Sequence, residues 1–307
     1  MERSVKVIAP ATISNVGPGF DLMGFAIDQP EEILIIRKNL SGSMNIINNT
    51  AYDIPQDPLK NVASVSALSL LKAADIKQGF DFIFESKIMP GSGIGSSAAS
   101  CTAAVVGVNA LLNDIFKKEE LLNFALEGET LASGSLHADN AAPALLGGFI
   151  LIRSYCPLDI ISIKSPDNLF CSVVHPEIEI KTSESRKLIP KIFDLKTVLQ
   201  QAGNIASLVA GLNTSDFNLI GRALEDAIAE PVRASLIPGY CDIKAGVYKY
   251  GAVGANISGS GPSVFAFSNS MEKAENVAAF MGKTFDQLHI KNKVYISGIS
   301  KKGTRLL

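Results

Sequence analysis

The stretch from Pro90 to Ala110, P-G-S-G-I-G-S-S-A-A-S-C-T-A-A-V-V-G-V-N-A, constrains this chain more than any other. Three glycines and three serines fall within residues 91–97, and a run of small residues follows directly. The alternating apolar run Phe80–Ile88 (FDFIFESKI) reads as a strand, so the local order is strand, glycine loop, helix. Glycines let the backbone turn its N–H groups inward at a helix start. There the unpaired donors and the positive end of the helix dipole favour an anion. Ser96 and Ser97 add hydroxyls suited to phosphate or Mg²⁺, and Ala98, Ala99 and Ser100 keep the first turn open to a polyphosphate. Two well-known glycine loops do not fit. No Lys follows Gly95, as the Walker A pattern requires, and Ser96 stands where the dinucleotide fingerprint needs its last glycine. Taken alone, the stretch also fits a tight turn before a buried small-residue helix.

The 307 residues suffice for two modest domains or one large one, and a hydrophobic share of 47% against 19% charged describes a globular chain with a sizeable core. A formal charge of −2 offers no electrostatic case for nucleic-acid binding. No apolar run reaches the length of a membrane span, and Met1–Lys6 does not read as a signal peptide. Cys101, Cys156, Cys171 and Cys241 are scattered, which fits reduced thiols in the cytoplasm. His137, His175 and His289 lack the spacing of a zinc site.

Along the chain, Ser4–Ala9 reads as an opening strand stopped by Pro10. The segment that follows carries Gly17, Gly19 and Gly24 with Ser14, Asn15 and Asp21 between them, as in a binding loop or a hairpin connection. Residues 32–38 and 44–48 read as strands, 61–74 as a helix, and 118–132 as a helix bearing Glu127 and Glu129. Residues 149–153 read as a strand. A soft boundary near 155–168 divides the chain into 1–160 and 161–307. In the second part, 169–175 reads as a strand, 181–188 as a polar helix start, and 195–212 and 216–229 as helices. Glu230-Pro231-Val232-Arg233 interrupts them. A third glycine cluster, I-S-G-S-G-P-S-V-F-A-F (257–267), lies between strands, with a helix over 271–281 and a last strand over 293–297. Strands and helices mix without regular alternation, so the class is α+β.

Three clusters thus stand in order: P-A-T-I-S-N-V-G-P-G-F-D, P-G-S-G-I-G-S-S-A and S-G-S-G-P-S-V-F. Together they resemble the three signature motifs of the GHMP kinases, with Ile94 in place of the usual Leu of the middle motif. The first cluster and the stretch H-A-D-N-A-A-P-A-L-L-G-G are similar to the homoserine-phosphorylating branch of that superfamily, and the resemblance runs from about Val5 to the last strand. It implies an N-terminal ATP-binding domain (1–160) like ribosomal protein S5, with a left-handed β-α-β unit. It implies a ferredoxin-like C-terminal domain (161–307), and an active site between the two. It also implies transfer of phosphate from ATP to the hydroxyl of L-homoserine, with Mg²⁺ as cofactor, in a homodimer.

The same resemblance assigns residues. Pro90, Gly91, Ser92, Gly93, Ile94, Gly95, Ser96, Ser97 and Ala98 form the ATP loop, and Asn61 and Val65 stand at the adenine pocket. Glu129, eight residues before His137, is preferred to Glu127 as the Mg²⁺ carboxylate, with Ser97 preferred to Ser96 beside it. A zwitterionic acceptor needs a cation for its carboxylate and an anion or carbonyl for its ammonium. Arg186 and Arg233 suit the first, Asp21 and Asn15 the second, and His137 and Asn140 line the same pocket. Asn140 is expected nearest the reacting hydroxyl, with Arg186 as its catalytic companion. Because Asn140 is no base, the hydroxyl proton passes to the phosphate itself; Asp139 is the alternative base. Gly259, Ser260 and Gly261 are expected to pack behind the phosphate loop. A kinase of the same superfamily with an isoprenoid or sugar acceptor, and a catalytically silent metabolite sensor, remain open as other readings.

Overall fold

A computed structural model describes residues 4–134, 136–180 and 182–307. Met1–Arg3, Ser135 in the loop before His137, and Lys181 in the expected polar helix start lie outside the described residues.

The first half is built on β1 (Ser4–Ser14), β2 (Met23–Asn39), β3 (Met44–Asn48), α1 (Val62–Ala73), β4 (Gly79–Ser86), α2 (Ser96–Leu111), α3 (Leu121–Ser133), α4 (Ala138–Leu146), β5 (Phe149–Tyr155) and β6 (Leu158–Ile163). The second half contributes β7 (Phe170–Pro176), α5 (Thr182–Lys187), α6 (Leu195–Thr214), α7 (Phe217–Ala223), α8 (Glu230–Arg233) and α9 (Tyr240–Gly246). It continues with β8 (Gly254–Ile257), β9 (Val264–Ser268), α10 (Met271–Gln287), β10 (Asn292–Gly298) and β11 (Arg305–Leu306). Among the described residues the strands form two sheets. One has seven strands and follows β11-β1-β2-β4-β3, with β5 and β6 added on the β2 side. The other has four, in the order β10-β7-β9-β8. Numbered within that half, this is 4-1-3-2 with helices after its first and third strands, the ferredoxin-like arrangement. A division at 160/161 falls inside β6, and β11 returns from the C-terminus to pair with β1 at Val7 and Ile8.

Several elements run differently from the sequence reading. Pro10 does not stop β1. The β1–β2 register jumps from Pro10↔Glu31 to Ala11↔Ile27, so the missing N–H falls where pairing is already interrupted. The strand continues to Ser14. The expected 216–229 helix ends at Ala223, and Glu230–Arg233 is not a break but a one-turn helix with Pro231 in its first turn, where a proline is tolerated. β6 pairs β5 and sets Ile163, Leu158 and Ile160 against the core, although its place between Pro157 and Pro166 makes it look like a linker in the sequence. α4 was hidden by its alanines and by Pro143, which sits within the helix.

The two sheets meet through aromatic side chains. Phe25 of β2 stacks on Phe149 of β5 with centroids 4.6 Å apart and meets Phe265 and Phe267 of β9 at 5.9 and 5.2 Å. All four rings are fully buried, and such pairs add to the area they remove from water. Among the described residues no helix is long and apolar enough to cross a membrane.

α4 lies against β2 at Gly24. A Cβ there would stand 1.7 Å from the Asp139 carbonyl oxygen and 3.1 Å from Pro143 Cγ. That carbonyl belongs to the residue four before Pro143, which has no N–H to offer it. Gly24→Ala therefore pushes α4 outward. We expect a loss of at least about 2 kcal/mol in denaturant unfolding, in the range of overpacked cores, with a disproportionate fall in any activity that depends on Asn140.

Candidate active site

The glycine loop between β4 and α2 is shaped by contacts from both halves of the chain. Gly95, the cap of α2, has φ +71°, and a Cβ on it would stand 1.9 Å from Thr12 Oγ1, so only glycine fits both the turn and the space. The Thr12 N–H donates to Ile94 O at 3.1 Å. Thr12 Oγ1 donates to Asn140 Oδ1 at 2.9 Å, and Asn140 Nδ2 donates to Ser14 Oγ at 3.0 Å. Ser258 Oγ reaches Gly93 O and Ser263 Oγ reaches Ser92 O. Ser92 and Ser96 turn their own hydroxyls back onto Met89 O and Ile88 O, at 2.6 and 2.7 Å. A glycine cap leaves the first-turn N–H groups of α2 without a capping side chain, facing a cavity of about 360 Å³.

Charged groups gather at one end of this cavity. Asp21, held at φ +58°, forms a two-pronged ion pair with Arg186: Nη1 to Oδ1 at 3.1 Å and Nη2 to Oδ2. Its N–H donates to Asn15 Oδ1 at 3.1 Å, and its carbonyl accepts from the Tyr155 hydroxyl at 2.7 Å. His137 Nδ1 is 3.6 Å from Asp21 Oδ1. Burial holds the His137 imidazole below its usual range although Asp21 pulls it up, so the ring is neutral at pH 7. Arg233 is buried. Its Nη1 donates to Gly259 O at 2.9 Å, an oxygen that also accepts from Asn15 Nδ2 at 2.8 Å. Its Nε is buried without a hydrogen-bond partner among the described residues. The Arg186 and Arg233 guanidinium groups lie 5.5 and 5.3 Å from the centroid of the Phe20 ring.

Two carboxyl groups flank the loop. Glu129 of α3 is buried, and burial pushes its pKa up to about 7 against the hydrogen bonds from Ser97 and Cys101 and the nearby Lys87 charge. Asp139 of α4 is likewise pushed up to about 7, first by burial and then by the Asp21 and Glu129 charges. Glu127 is exposed on the other face of α3. Lys87 is buried between Glu32 Oε2 at 2.7 Å, Ser100 Oγ, and Ser96 O at 3.1 Å. Among the described residues there is no cluster of three or more His, Cys, Asp or Glu side chains for a metal.

The residues singled out in the sequence are mostly brought together. Asn15, Asp21, His137, Asn140, Arg186 and Arg233 line the cavity, as do Asn61, Glu129, and Pro90–Gly93 with Gly95–Ser97. Three do not. Ile94 and Ala98 are buried beneath the loop in the core, because the loop's backbone rather than these side chains faces the cavity. Val65 lies one turn down α1, away from the cavity, which the helix meets at its capped end through Asn61 and Val62. Gly259 and Ser260, expected behind the loop, line the cavity directly. Sequence reasoning passed over Lys87, Thr12 and Tyr155. The polar residues of the first motif could have drawn attention to Thr12. Nothing in the F-E-S-K-I segment distinguishes Lys87 from a surface lysine.

A two-layered kinase of the GHMP type is the class that this fold and site define. The GHMP kinase N-terminal domain model matches residues 61–148, and the C-terminal model matches 208–287. A homoserine kinase of Chlorobium phaeobacteroides is 46% identical, over 99% of this chain and 100% of its own. One from Chloroherpeton thalassium is 43% identical at the same coverage. The crystal structure of homoserine kinase from Cytophaga hutchinsonii superposes with a TM-score of 0.96 at 44% identity, covering 100% of this chain and 98% of the other. The chain belongs to the homoserine kinase family.

The raised pKa of Asp139 has a consequence for stability. In the unfolded chain its carboxyl ionises near 3.8 and in the folded chain near 7. Folding is therefore opposed by ionisation of this group as pH rises from about 4 to 7, with a slope of at most about 1.4 kcal/mol per pH unit. We expect the unfolding free energy of Asp139→Asn, relative to the unaltered protein, to rise across that window and level off above pH 7. Urea titrations at several pH values check it.

Proposed function

We propose that this chain transfers the γ-phosphoryl group of ATP to the hydroxyl of L-homoserine, giving O-phospho-L-homoserine and ADP. One observation carries the reading of the acceptor: a carboxylate and two guanidinium groups converge at the end of a cavity whose middle is a helix-capping glycine loop. That is the charge set for an amino-acid zwitterion beside a phosphate cradle. An isoprenoid or sugar acceptor has no ammonium for Asp21 to meet.

In this reading the first-turn N–H groups of α2 and the loop Pro90–Ser97 hold the ATP phosphates, with Asn61 beside the base. Arg186 and Arg233 take the substrate carboxylate, and Asp21 with Asn15 takes the ammonium. His137 stays neutral against Asp21. Asn140 orients the acceptor hydroxyl, its own amide fixed by Thr12 and Ser14. The hydroxyl oxygen attacks the γ-phosphorus as the bond to ADP breaks, and the hydroxyl proton passes to an oxygen of the transferred phosphoryl group. No strong base is required, because such a transition state needs mainly positioning and charge neutralisation. Arg186 also neutralises charge near the transferred group.

The residues present fit Mg²⁺. The Ser97 hydroxyl and the Glu129 carboxylate are hard oxygen donors within hydrogen-bond reach of each other, and the Ser96 hydroxyl is committed to Ile88 O. Bound there with the nucleotide phosphates, the ion supplies neutralisation of phosphate charge.

ADP formation from Mg·ATP is measured with L-homoserine, L-serine, mevalonate and galactose in parallel. We expect turnover with homoserine well above the others. Turnover with mevalonate or galactose in its place would reject the pocket assignment, and ATP binding without turnover would favour a sensor. In Arg233→Lys the charge remains but the Nη1 hydrogen bond to Gly259 O and the guanidinium contact with the Phe20 ring are lost. The KM for homoserine should rise about ten- to hundredfold while the KM for ATP moves less than about twofold.

A further inference from the structure

One buried polar set behind the pocket has no part in the chemistry above. Gln201 on α6 and Asp226, between α7 and α8, are both buried. Gln201 Nε2 donates to the Pro18 carbonyl at 2.6 Å and to Asp226 Oδ1 at 2.9 Å, while its Oε1 accepts from the Ala227 N–H at 2.7 Å. The Asp226 carboxylate accepts from the N–H groups of Ile228, Ala229 and Glu230, at 2.8 to 3.2 Å. Those N–H groups lead into α8, and the last residue of α8 is Arg233, whose own N–H bonds Ala229 O at 3.0 Å. On the other side, Pro18 lies in the loop that carries Asn15, Phe20 and Asp21. A single side-chain amide therefore ties the loop holding Asp21 to the segment holding Arg233.

We infer that Gln201 and Asp226 are positioning residues for amino-acid recognition, setting the separation between the Asp21 loop and Arg233. This rests on the reading that the pocket takes a zwitterion. The ammonium and carboxylate of an α-amino acid sit on adjacent carbons, so the groups that grip them must be spaced within a fraction of an ångström. Neither group is positioned by the main sheets alone. Asp21 stands on a loop at positive φ, and Arg233 ends a helix of only four residues. The Phe20 ring lies against the Arg233 guanidinium and moves with Pro18, so a slip of the loop also disturbs the face on which Arg233 rests. Buried, fully bonded amides and carboxylates fix one arrangement, because any other leaves them unpaired.

Gln201→Glu tests this with no change of shape, replacing the doubly donating nitrogen by an oxygen that faces two acceptors. We expect the KM for homoserine to rise about tenfold or more, with kcat at saturating homoserine and the KM for ATP changed less than about threefold, at a temperature well below a melting transition that the buried carboxyl lowers. Asp226→Asn should shift the same parameter, since its amide nitrogen meets backbone N–H groups. If Gln201→Glu does not fold, Gln201→Leu is measured in its place. An unchanged KM for homoserine overturns the assignment. So does a fall of kcat and melting temperature with a rise of both KM values together, or failure of all three variants to fold, since each marks a purely structural pair. Absence of homoserine turnover in the unaltered protein overturns the zwitterion reading and this assignment with it. Homoserine turnover with an unmoved KM in the variants overturns this assignment alone.

Discussion

Everything in the site depends on three glycine-bearing segments coming within hydrogen-bond distance of one another. The Thr12 N–H meets Ile94 O, the Gly259 N–H meets Ser14 O, and the Ser258 and Ser263 hydroxyls meet Gly93 O and Ser92 O. Backbones approach this closely only where Cβ atoms are absent, and buried carbonyls in such a junction must each find a donor. Glycine and serine alternate in these segments for that reason: one residue type makes room and the other supplies the hydroxyl. The second and third segments come from different sheets, so the loop is an inter-sheet structure, and the Phe25–Phe149–Phe265–Phe267 cluster holds the sheets in the register it requires.

Charge is distributed around that junction unevenly. Lys87, which might have served a phosphate, is enclosed by Glu32, Ser100 and a carbonyl at the base of α2. A buried pair of this kind is costly to break and adds little net attraction at a distance. Glu129 and Asp139, by contrast, are carboxyls that burial pushes up to about 7. In the proposed reading, positive character facing the phosphates is left to the helix end, with Arg186 near the transferred group. In the proposed reading the phosphate cradle and the acceptor pocket share one cavity.

The sequence made the loops and most site residues legible because each motif combines glycines with a few polar groups, a pattern that ordinary turns seldom repeat in order. Asp21, His137, Asn140, Arg186 and Arg233 all reach one cavity although they come from separate segments. What was not legible depends on tertiary context. β1 runs through Pro10 because β2 loops out opposite it. α4 was obscured by Pro143, which has no N–H for the Asp139 carbonyl that lies against Gly24. β11 is two residues long and exists only because β1 has an open edge there. Lys87 reads as a surface lysine until Glu32, far away in sequence, is placed beside it. Ile94 and Ala98 belong to the motif yet serve the core, since a loop that presents its backbone must bury side chains somewhere.

The ion pair between Asp21 and Arg186 shows how such a pocket stays ordered with no ligand. Each partner has anchors other than its mate: Asp21 through Asn15 and the Tyr155 hydroxyl, Arg186 through the face of Phe20. In the proposed reading, an entering zwitterion offers an ammonium to the acid and a carboxylate to the base, so the pair can be loosened without leaving either charge bare. Desolvation has largely been met when the pocket folds, and binding exchanges one set of charge-assisted hydrogen bonds for another. A neutral acceptor would have to part the same two groups and give nothing back, so under the proposed reading the pair also acts as a filter against uncharged alcohols.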